Sequence, residues 1–401
     1  MSFVQIWRKE KWRITFLVAF LSISASMTAC FWFRQPPLSA AAIAPRMNSA
    51  VDAVIAARKA DIASISDVPF GDIKTINVLV LGIDSRKEGN EKHCDAIHMV
   101  SMNVQDWTMK VTSVPRGTYA YIPPGTYAEN EYYLANACAF AGLDYGIEQI
   151  ERVVGVRADY VVSVGFSQAL GILRALELPT TESLQWLRHR QSYSIGDPQR
   201  SQNQAVFMKD VGLRMFQGGG IPDVLLRMLY SFVDTDMDYA TAKTLYDGFR
   251  LNGIADRPDD VTLTMKPHYD VREIHFDPTQ ATAQIDALVA KLQGRLSRFD
   301  LSNKTVEEIQ AELVKYLENS LKTGDDFATI FDEKLWLQVE ETGTRESLEY
   351  RFIEYHVRSL SSSDHDAAIQ YVADYILEKQ TQGMLVWEQK GRVLLEKLVG
   401  E

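Results

Sequence analysis

Acids and arginines stand where strand-like runs of this chain begin or end. Asp84 closes INVLVLGID, Asp95 opens AIHMVSMN, and Arg116 follows KVTSV and a proline. Arg188 and Arg190 stand in WLRHRQ, and Asp197, Arg200 and Gln204 in GDPQRSQNQ. Carboxylates such as Asp84 and Asp95 suit Mg2+ or Mn2+, hard cations that prefer oxygen and keep some of their water. Guanidinium groups present a planar fork of donors that matches phosphate oxygens. The combination predicts a site for a metal pyrophosphate, where positioning and charge stabilisation would do most of the catalysis. The competing reading is a set of surface ion pairs of little energetic weight, with RHR on the solvated face of a helix. The sequence has no zinc spacing, P-loop, nucleophile elbow or dinucleotide glycine fingerprint.

The elements that must position these residues are legible. INVLVLGID is a continuous β-branched and leucine run, as in a strand buried on both faces. AIHMVSMN and KVTSV follow as strands joined by a short hairpin-type turn. LDYGIEQIERVVG has helical spacing and ends at Gly155, YVVSVGF is a strand, and SQALGILRALE is a helix capped by Ser167. Alternating strands and helices predict an α/β domain, a mixed central sheet with helices on both faces. Beyond residue 200 the pattern turns helical. VTLTMKP and REIHFDP are expected to close the same sheet, and a helix is expected near 279–297. Ends of adjacent strands converge in such a sheet, and ligands bind there.

The composition is that of a globular protein, with 46% hydrophobic and 24% charged residues over 401 positions. A net charge of −11 argues against sequence-independent nucleic-acid binding. Residues 1–13 form a basic tail, and 14–33 run without a charge over a length that suits a membrane-spanning helix. The basic flank places the bulk of the chain outside the cytoplasmic membrane, on a single-pass anchor. A cleaved signal peptide, or a lipoprotein signal with Cys30 as the acylated residue, leads to the same side. Residues 34–71 are a linker with a short amphipathic helix, 72–285 the α/β domain, and 286–401 a helical extension. The aromatics of YRFIEYHV and YILEKQTQGMLVW suit either a core or a docking face for an envelope partner. Cys94 and Cys138 are either disulfide-bonded or two buried thiols.

In order along the chain, INVLVLGIDSR, CDAIHMVSMN, VTSVPRGTY, LANACAFAG and SLQWLRHR…GDPQRSQNQ resemble the LytR–CpsA–Psr family. GIEQIERVVGVRADYVVSVGF resembles the family's helix–strand unit, so the resemblance spans roughly 72–285. It implies a bacterial, outward-facing, membrane-anchored enzyme with an apolar lipid tunnel. The enzyme would transfer a glycopolymer from a polyprenyl-pyrophosphate carrier to a cell-wall acceptor such as peptidoglycan, with Mg2+. By the same resemblance Asp84 and Asp95 lie at the metal. Arg116, Arg188, Arg190 and Arg200, with Gln204 and Asn136, contact substrate. Apart from the resemblance, Asp197 is a candidate to orient Arg200 or to act as a base. The chain departs from the family pattern in a shortened insertion, LPTTES, before the Arg-x-Arg helix and at four residues. His93 stands for an arginine, Leu134 for a lysine, Asn203 for an arginine and Gly117 for an acid. A thinner cationic shell leaves a second reading, a catalytically degraded lipid-pyrophosphate-binding or scaffold protein. Pyrophosphate hydrolysis would use the same site.

Overall fold

The computed structural model describes residues 49–63, 70, 73–85, 92–123, 127–128, 131–188, 196–275, 277, 279, 306–361 and 363–400. The apolar stretch 14–33, Cys30, Arg190 and nearly all of the helix expected near 279–297 lie outside them. No described helix is long and apolar enough to cross a membrane.

Six strands form one mixed sheet: β1 (Thr75–Ser85), β2 (Lys92–Asn103), β3 (Thr108–Ser113), β4 (Tyr160–Gly165), β5 (Asp234–Thr235) and β6 (Val261–Met265). Their order is β5-β4-β1-β2-β3-β6. β1 and β2, β2 and β3, and β4 and β5 run antiparallel, while β1 and β4, and β3 and β6, run parallel. β1 is buried on both faces, as its unbroken apolar run requires. Leu79, Leu81 and Ile83 face one core with Ile97 and Met99. Ile76, Val78 and Val80 face the other. Helices α2 (Leu134–Phe140) and α3 (Leu143–Val154) cover the first face. The second is covered by α6 (Gly196–Met215), through Leu213, and α8 (Tyr239–Leu251), through Leu245 and Phe249. Between them in the chain come α4 (Phe166–Ala175), α5 (Thr180–Arg188) and α7 (Asp223–Ser231).

The α3 helix ends where expected, with Gly155 in the left-handed conformation at φ 80. Ser167 is not a cap: it lies inside α4, whose N-cap is Gly165, and its Oγ accepts a hydrogen bond from Gln338 at 2.9 Å. VTLTMKP forms β6, but 272–275 of REIHFDP form no strand. There Gln199 of α6 accepts from the Arg272 N–H at 2.9 Å and donates to its carbonyl at 2.6 Å, taking the groups a ladder would use.

The C-terminal part is α9 (Val306–Thr323), α10 (Phe327–Asp332), a 3-10 turn at Leu335–Gln338, α11 (Thr342–Ser361), α12 (His365–Thr381) and α13 (Leu385–Val399). The long apolar-periodic stretch after Asp366 is split by Gly383, at φ 68. These helices share cores with the rest of the chain. Trp336, Leu337 and Phe352 pack with Met228 and Phe232 of the α7 segment and with Ile172 of α4. Val51, Ile55 and Ile62 of α1 (Ser49–Ala63) pack with Val372, Ile376 and Leu395. Arg58 bonds both Asp374 oxygens, at 2.7 and 2.9 Å, and Arg392 reaches Asp52 at 2.6 Å. Phe352 and Tyr375, two of the aromatics that suited a docking face, are therefore core residues.

Lys379 is buried among carboxylates, with Nζ 2.7 Å from Glu346, 2.6 Å from Glu349 and 3.2 Å from Glu378. Burial opposes its charge, but attraction by Glu349, Glu378 and Glu346 outweighs burial and holds its pKa well above the ordinary value. Replacing Lys379 with Met would leave the buried Glu349 carboxylate without its cation and Glu346 with Arg345 alone, at 3.5 Å. Urea denaturation should show a loss of about 3–5 kcal/mol. A loss below about 1 kcal/mol would mean that the carboxylates find other partners.

Candidate functional site

The site is assembled at one end of the sheet by the β1–β2 pairing. The register runs Gly82 to Ala96 and then Ile83 to Cys94, so Asp95 is the extra residue of a β-bulge. A bulge leaves its residue out of the ladder and re-aims its side chain, and bulges recur beside active sites. At this crossing the strands are close: a Cβ on Gly82 would lie 2.9 Å from that of Ala96. Cys94, just before the bulge, is disulfide-bonded to Cys138 of α2, with Cα atoms 6.0 Å apart. The alternative of two free thiols is thereby decided.

Arg116 arrives from the exit of β3. The Thr118 N–H donates to the Pro115 carbonyl at 2.9 Å, and the Ala135 N–H to the Arg116 carbonyl at 3.1 Å. The third contributor is the start of α6. Sequence reading left GDPQRSQNQ without an assigned element, but it is helical from Gly196. Asp197 and Arg200 therefore lie one turn apart, with Arg200 Nη2 2.8 Å from Asp197 Oδ1.

Four charged groups alternate in sign. Arg116 Nη1 donates to Asp95 Oδ1, and Arg116 Nε lies 3.7 Å from Asp197 Oδ1. Arg200 also donates to the Asp95 carbonyl at 3.1 Å. The Gly117 N–H donates to Asp197 Oδ2 at 3.1 Å. A Cβ at Gly117 would sit 3.6 Å from that oxygen, an ordinary contact, so the glycine is not required for space. Arg116 and Asp197 are each one-fifth exposed at the side chain and Asp95 somewhat more, so the cluster opens to solvent. Among the described residues no three His, Cys, Asp or Glu side chains gather as a metal-ligand set. Two carboxylates, completed by water and phosphate oxygens, are the usual way proteins hold Mg2+.

The other sequence-derived residues sit around this cluster. Of Asp84 only the backbone is described, paired in register with His93. Arg188 is exposed at the end of α5 and lies over the Phe166 ring at 5.3 Å. Asn136 is buried and donates to the Glu131 carbonyl at 3.1 Å, bracing α2. Gln204 donates to the Leu187 carbonyl at 3.0 Å, tying α6 to α5. Asn203 is fully buried and accepts from Gln199 at 2.9 Å.

Sequence reading missed the polar seam beneath the site. Gln199 to Gln204 are all buried, six consecutive polar residues on α6. His98 lies under them on β2, with Nδ1 3.2 Å from Ser113 Oγ. Its one available signal was a histidine set between Ile97 and Met99 in a strand. The Gln204 side chain approaches the ring, but Nε2 makes no hydrogen bond of good geometry within the described residues. Burial pushes the His98 pKa down to about 4; the Gln204 contact opposes this and the Arg200 charge adds to it.

Residues 46–172 match the LytR_cpsA_psr family model. The resemblance read from the sequence is shown over that stretch, which holds Asp84, Asp95, Arg116 and Asn136. Asp197, Arg200 and Gln204 fall outside it. Among curated proteins, the chain is 28% identical over 120 residues to a Bacillus cereus polyisoprenyl-teichoic acid–peptidoglycan teichoic acid transferase, TagU. That covers 30% of this chain and 38% of the relative. It is 32% identical over 97 residues to the Bacillus subtilis transferase of the same description, TagT, covering 23% and 29%. The chain thus spans about a third of the length of these relatives. Among solved structures, B. subtilis TagV aligns with a TM-score of 0.43 at 17% identity, over 55% of this chain and 98% of that one. TagT bound to LIIa-WTA aligns with a TM-score of 0.38 at 17% identity, over 57% and 96%.

The His98 shift makes a pH prediction. With its folded-state pKa below the ordinary value of about 6.5, the unfolded chain takes the proton first. The neutral imidazole's contribution is full above about pH 6.5 and falls by roughly 3 kcal/mol as pH drops through about 4. Urea unfolding at pH 7 and pH 4 should show a loss in the native protein that exceeds the loss in His98→Leu by about this amount. Equal losses would remove His98 as the cause.

Proposed function

Since residues 46–172 match the LytR–CpsA–Psr family, we propose that the chain is a divergent member that transfers an envelope glycopolymer from a polyprenyl-pyrophosphate carrier to a cell-wall acceptor. The observation that carries this reading is the alternating cluster of Asp95, Arg116, Asp197 and Arg200 at the sheet end, reached by a bulge, a strand exit and a helix start. The names of the curated relatives point to the same class of reaction.

In this reading Arg116 and Arg200 take pyrophosphate oxygens, and the N-terminus of α6 adds its partial positive charge. Asp95, with Asp84, would hold Mg2+, which supplies charge neutralisation at the phosphates. An acceptor hydroxyl oxygen bonds to the sugar-bearing phosphorus, and its proton passes to a base. The bond from that phosphorus to the oxygen of polyprenyl phosphate breaks, and polyprenyl phosphate leaves with the electron pair. Asp197 acts as a positioning residue, because its carboxylate is already held by the Gly117 N–H and by Arg200. The single-pass anchor over 14–33, export of the remainder and an apolar lipid tunnel complete the proposal.

One observation favours a second reading, a carrier-binding scaffold without turnover. The two described arginines of the cluster are matched by two carboxylates of the same chain, so an incoming pyrophosphate must compete with Asp95 and Asp197.

Incubation with a polyprenyl-pyrophosphoryl glycan and Mg2+ should release polyprenyl phosphate, and EDTA should stop it. Arg116→Ala should lower release about 100-fold or more with little change in melting temperature, since the side chain is partly exposed. Tight binding of the carrier without release would establish the scaffold reading instead.

A further inference from the structure

Three residues beyond Arg116 the chain exposes a group of tyrosines that the cluster does not use. Tyr119 is 70% exposed and Tyr121 51%, the first among the most exposed large apolar side chains described. They are not loosely held. Tyr119 bridges Tyr133 in an antiparallel pair, the Ala120 N–H donates to the Tyr132 carbonyl at 3.3 Å, and the Tyr121 carbonyl accepts from the Tyr145 hydroxyl at 2.8 Å. The Tyr121 and Tyr132 rings stack at 5.7 Å with planes 9° apart, and Tyr119 leans on Tyr132 at 6.4 Å. Tyr127 contacts Tyr132 edge-on at 6.5 Å and stacks on Phe140 at 5.0 Å. Phe140 in turn meets His93, beside the bulge, at 5.9 Å. A continuous aromatic row thus runs from His93, two residues before Asp95, to an open surface of phenol rings.

We infer that Tyr119, Tyr121 and Tyr132 form a saccharide platform, on which a pyranose of an envelope glycan stacks beside the pyrophosphate held at Arg116. The inference rests on the proposed glycan-pyrophosphate reading of that cluster. A pyranose offers an apolar face of weakly positive C–H groups, which suits the negative face of a phenol ring, and its rim of hydroxyls suits the phenol O–H. Such an amphipathic platform binds with little loss of side-chain freedom. The spacing also fits, since three residues span at most about 10 Å, a reach of one or two sugar rings. A lipid surface is the other class of partner that exposed tyrosines serve. The segment argues against it: residues 117–151 contain five acids and no lysine or arginine, the wrong charge for an anionic leaflet.

The test uses the full chain, its Tyr119→Ala/Tyr121→Ala double variant, and Tyr119→Trp, which keeps a stacking ring. The probes are farnesyl-pyrophosphoryl-N-acetylglucosamine, farnesyl pyrophosphate and chitotetraose, titrated by calorimetry with Mg2+. The double variant should lose about tenfold in affinity for at least one sugar-bearing probe, keep its affinity for farnesyl pyrophosphate, and be rescued in part by tryptophan. Loss confined to the pyrophosphoryl sugar assigns the platform to the donor; loss for chitotetraose assigns it to the acceptor glycan. If native protein binds chitotetraose through these tyrosines but ignores both pyrophosphates, the platform stands and the pyrophosphate reading falls. Native-like affinity of the double variant for both sugars, absence of sugar binding by the native chain, or tyrosine-dependent co-sedimentation with phosphatidylglycerol vesicles overturns the inference.

Discussion

The Asp197 carboxylate joins segments that sequence keeps far apart. It accepts from the backbone after β3 through Gly117, holds Arg200 one turn along its own helix, and lies within ion-pair distance of Arg116, which itself reaches Asp95. Partly buried charges attract more strongly than they would in water, but each also has a desolvation cost, so the pairing largely offsets the cost of gathering them. The contacts of Asp197 with Gly117 and of Arg200 with the Asp95 carbonyl set the approach of α6 to the sheet end. The polar seam of Gln199, Ser201, Asn203 and Gln204 beneath it then lets a helix start rich in amides and hydroxyls be buried. Gln199 takes the Arg272 backbone, Ser201 reaches the Val114 carbonyl at 3.4 Å, and Gln204 takes the Leu187 carbonyl. The seam does for polar groups what the leucines and valines of β1 do for apolar ones.

Much of this fold was legible in the sequence, for reasons specific to particular elements. The run from Ile76 to Ile83 admits few other readings than a strand covered on both sides, and Gly155 marks a helix end because it alone tolerates the left-handed conformation there cheaply. Less legible were features decided by tertiary contact. Asp95 can be seen near a strand start, but the bulge that turns it toward Arg116 depends on the register between two strands. The α6 start carries no apolar periodicity, because its buried face is polar. REIHFDP has strand-like alternation over a short stretch, and a glutamine clamp from α6 overrides it. At the site, residue types pointed to Asp95, Arg116, Asp197 and Arg200 as candidates, and the fold brings these four together. Arg188, by contrast, carries the right charge but rests on Phe166. His98 escaped notice because a lone histidine in a strand looks like any satisfied core residue.

The helices beyond residue 305 looked separable by composition, and their packing says otherwise. Trp336, Leu337 and Phe352 share a cluster with Met228 and Phe232, and α1, which precedes the sheet, is held by α12 and α13. Polar ties reinforce the seam: Arg174 of α4 donates to the Leu337 carbonyl at 2.5 Å, and Lys334 to the Ser231 carbonyl at 2.9 Å. Gly171 is where this contact is tightest, with Leu337 and Phe232 each 3.0 Å from the place a Cβ would occupy.

That shared interior makes the described part of the chain one cooperative unit. The helix before the first strand and the last helices close on each other, so the order of events along the chain is not the order of assembly. Besides α12 and α13, the first helix packs with Val224, Leu226 and Tyr230 of α7, so it closes onto the middle of the chain as well as onto its later helices. The sheet end that gathers Asp95, Arg116 and Arg200 therefore stands on a frame in which early, middle and late segments of the chain meet.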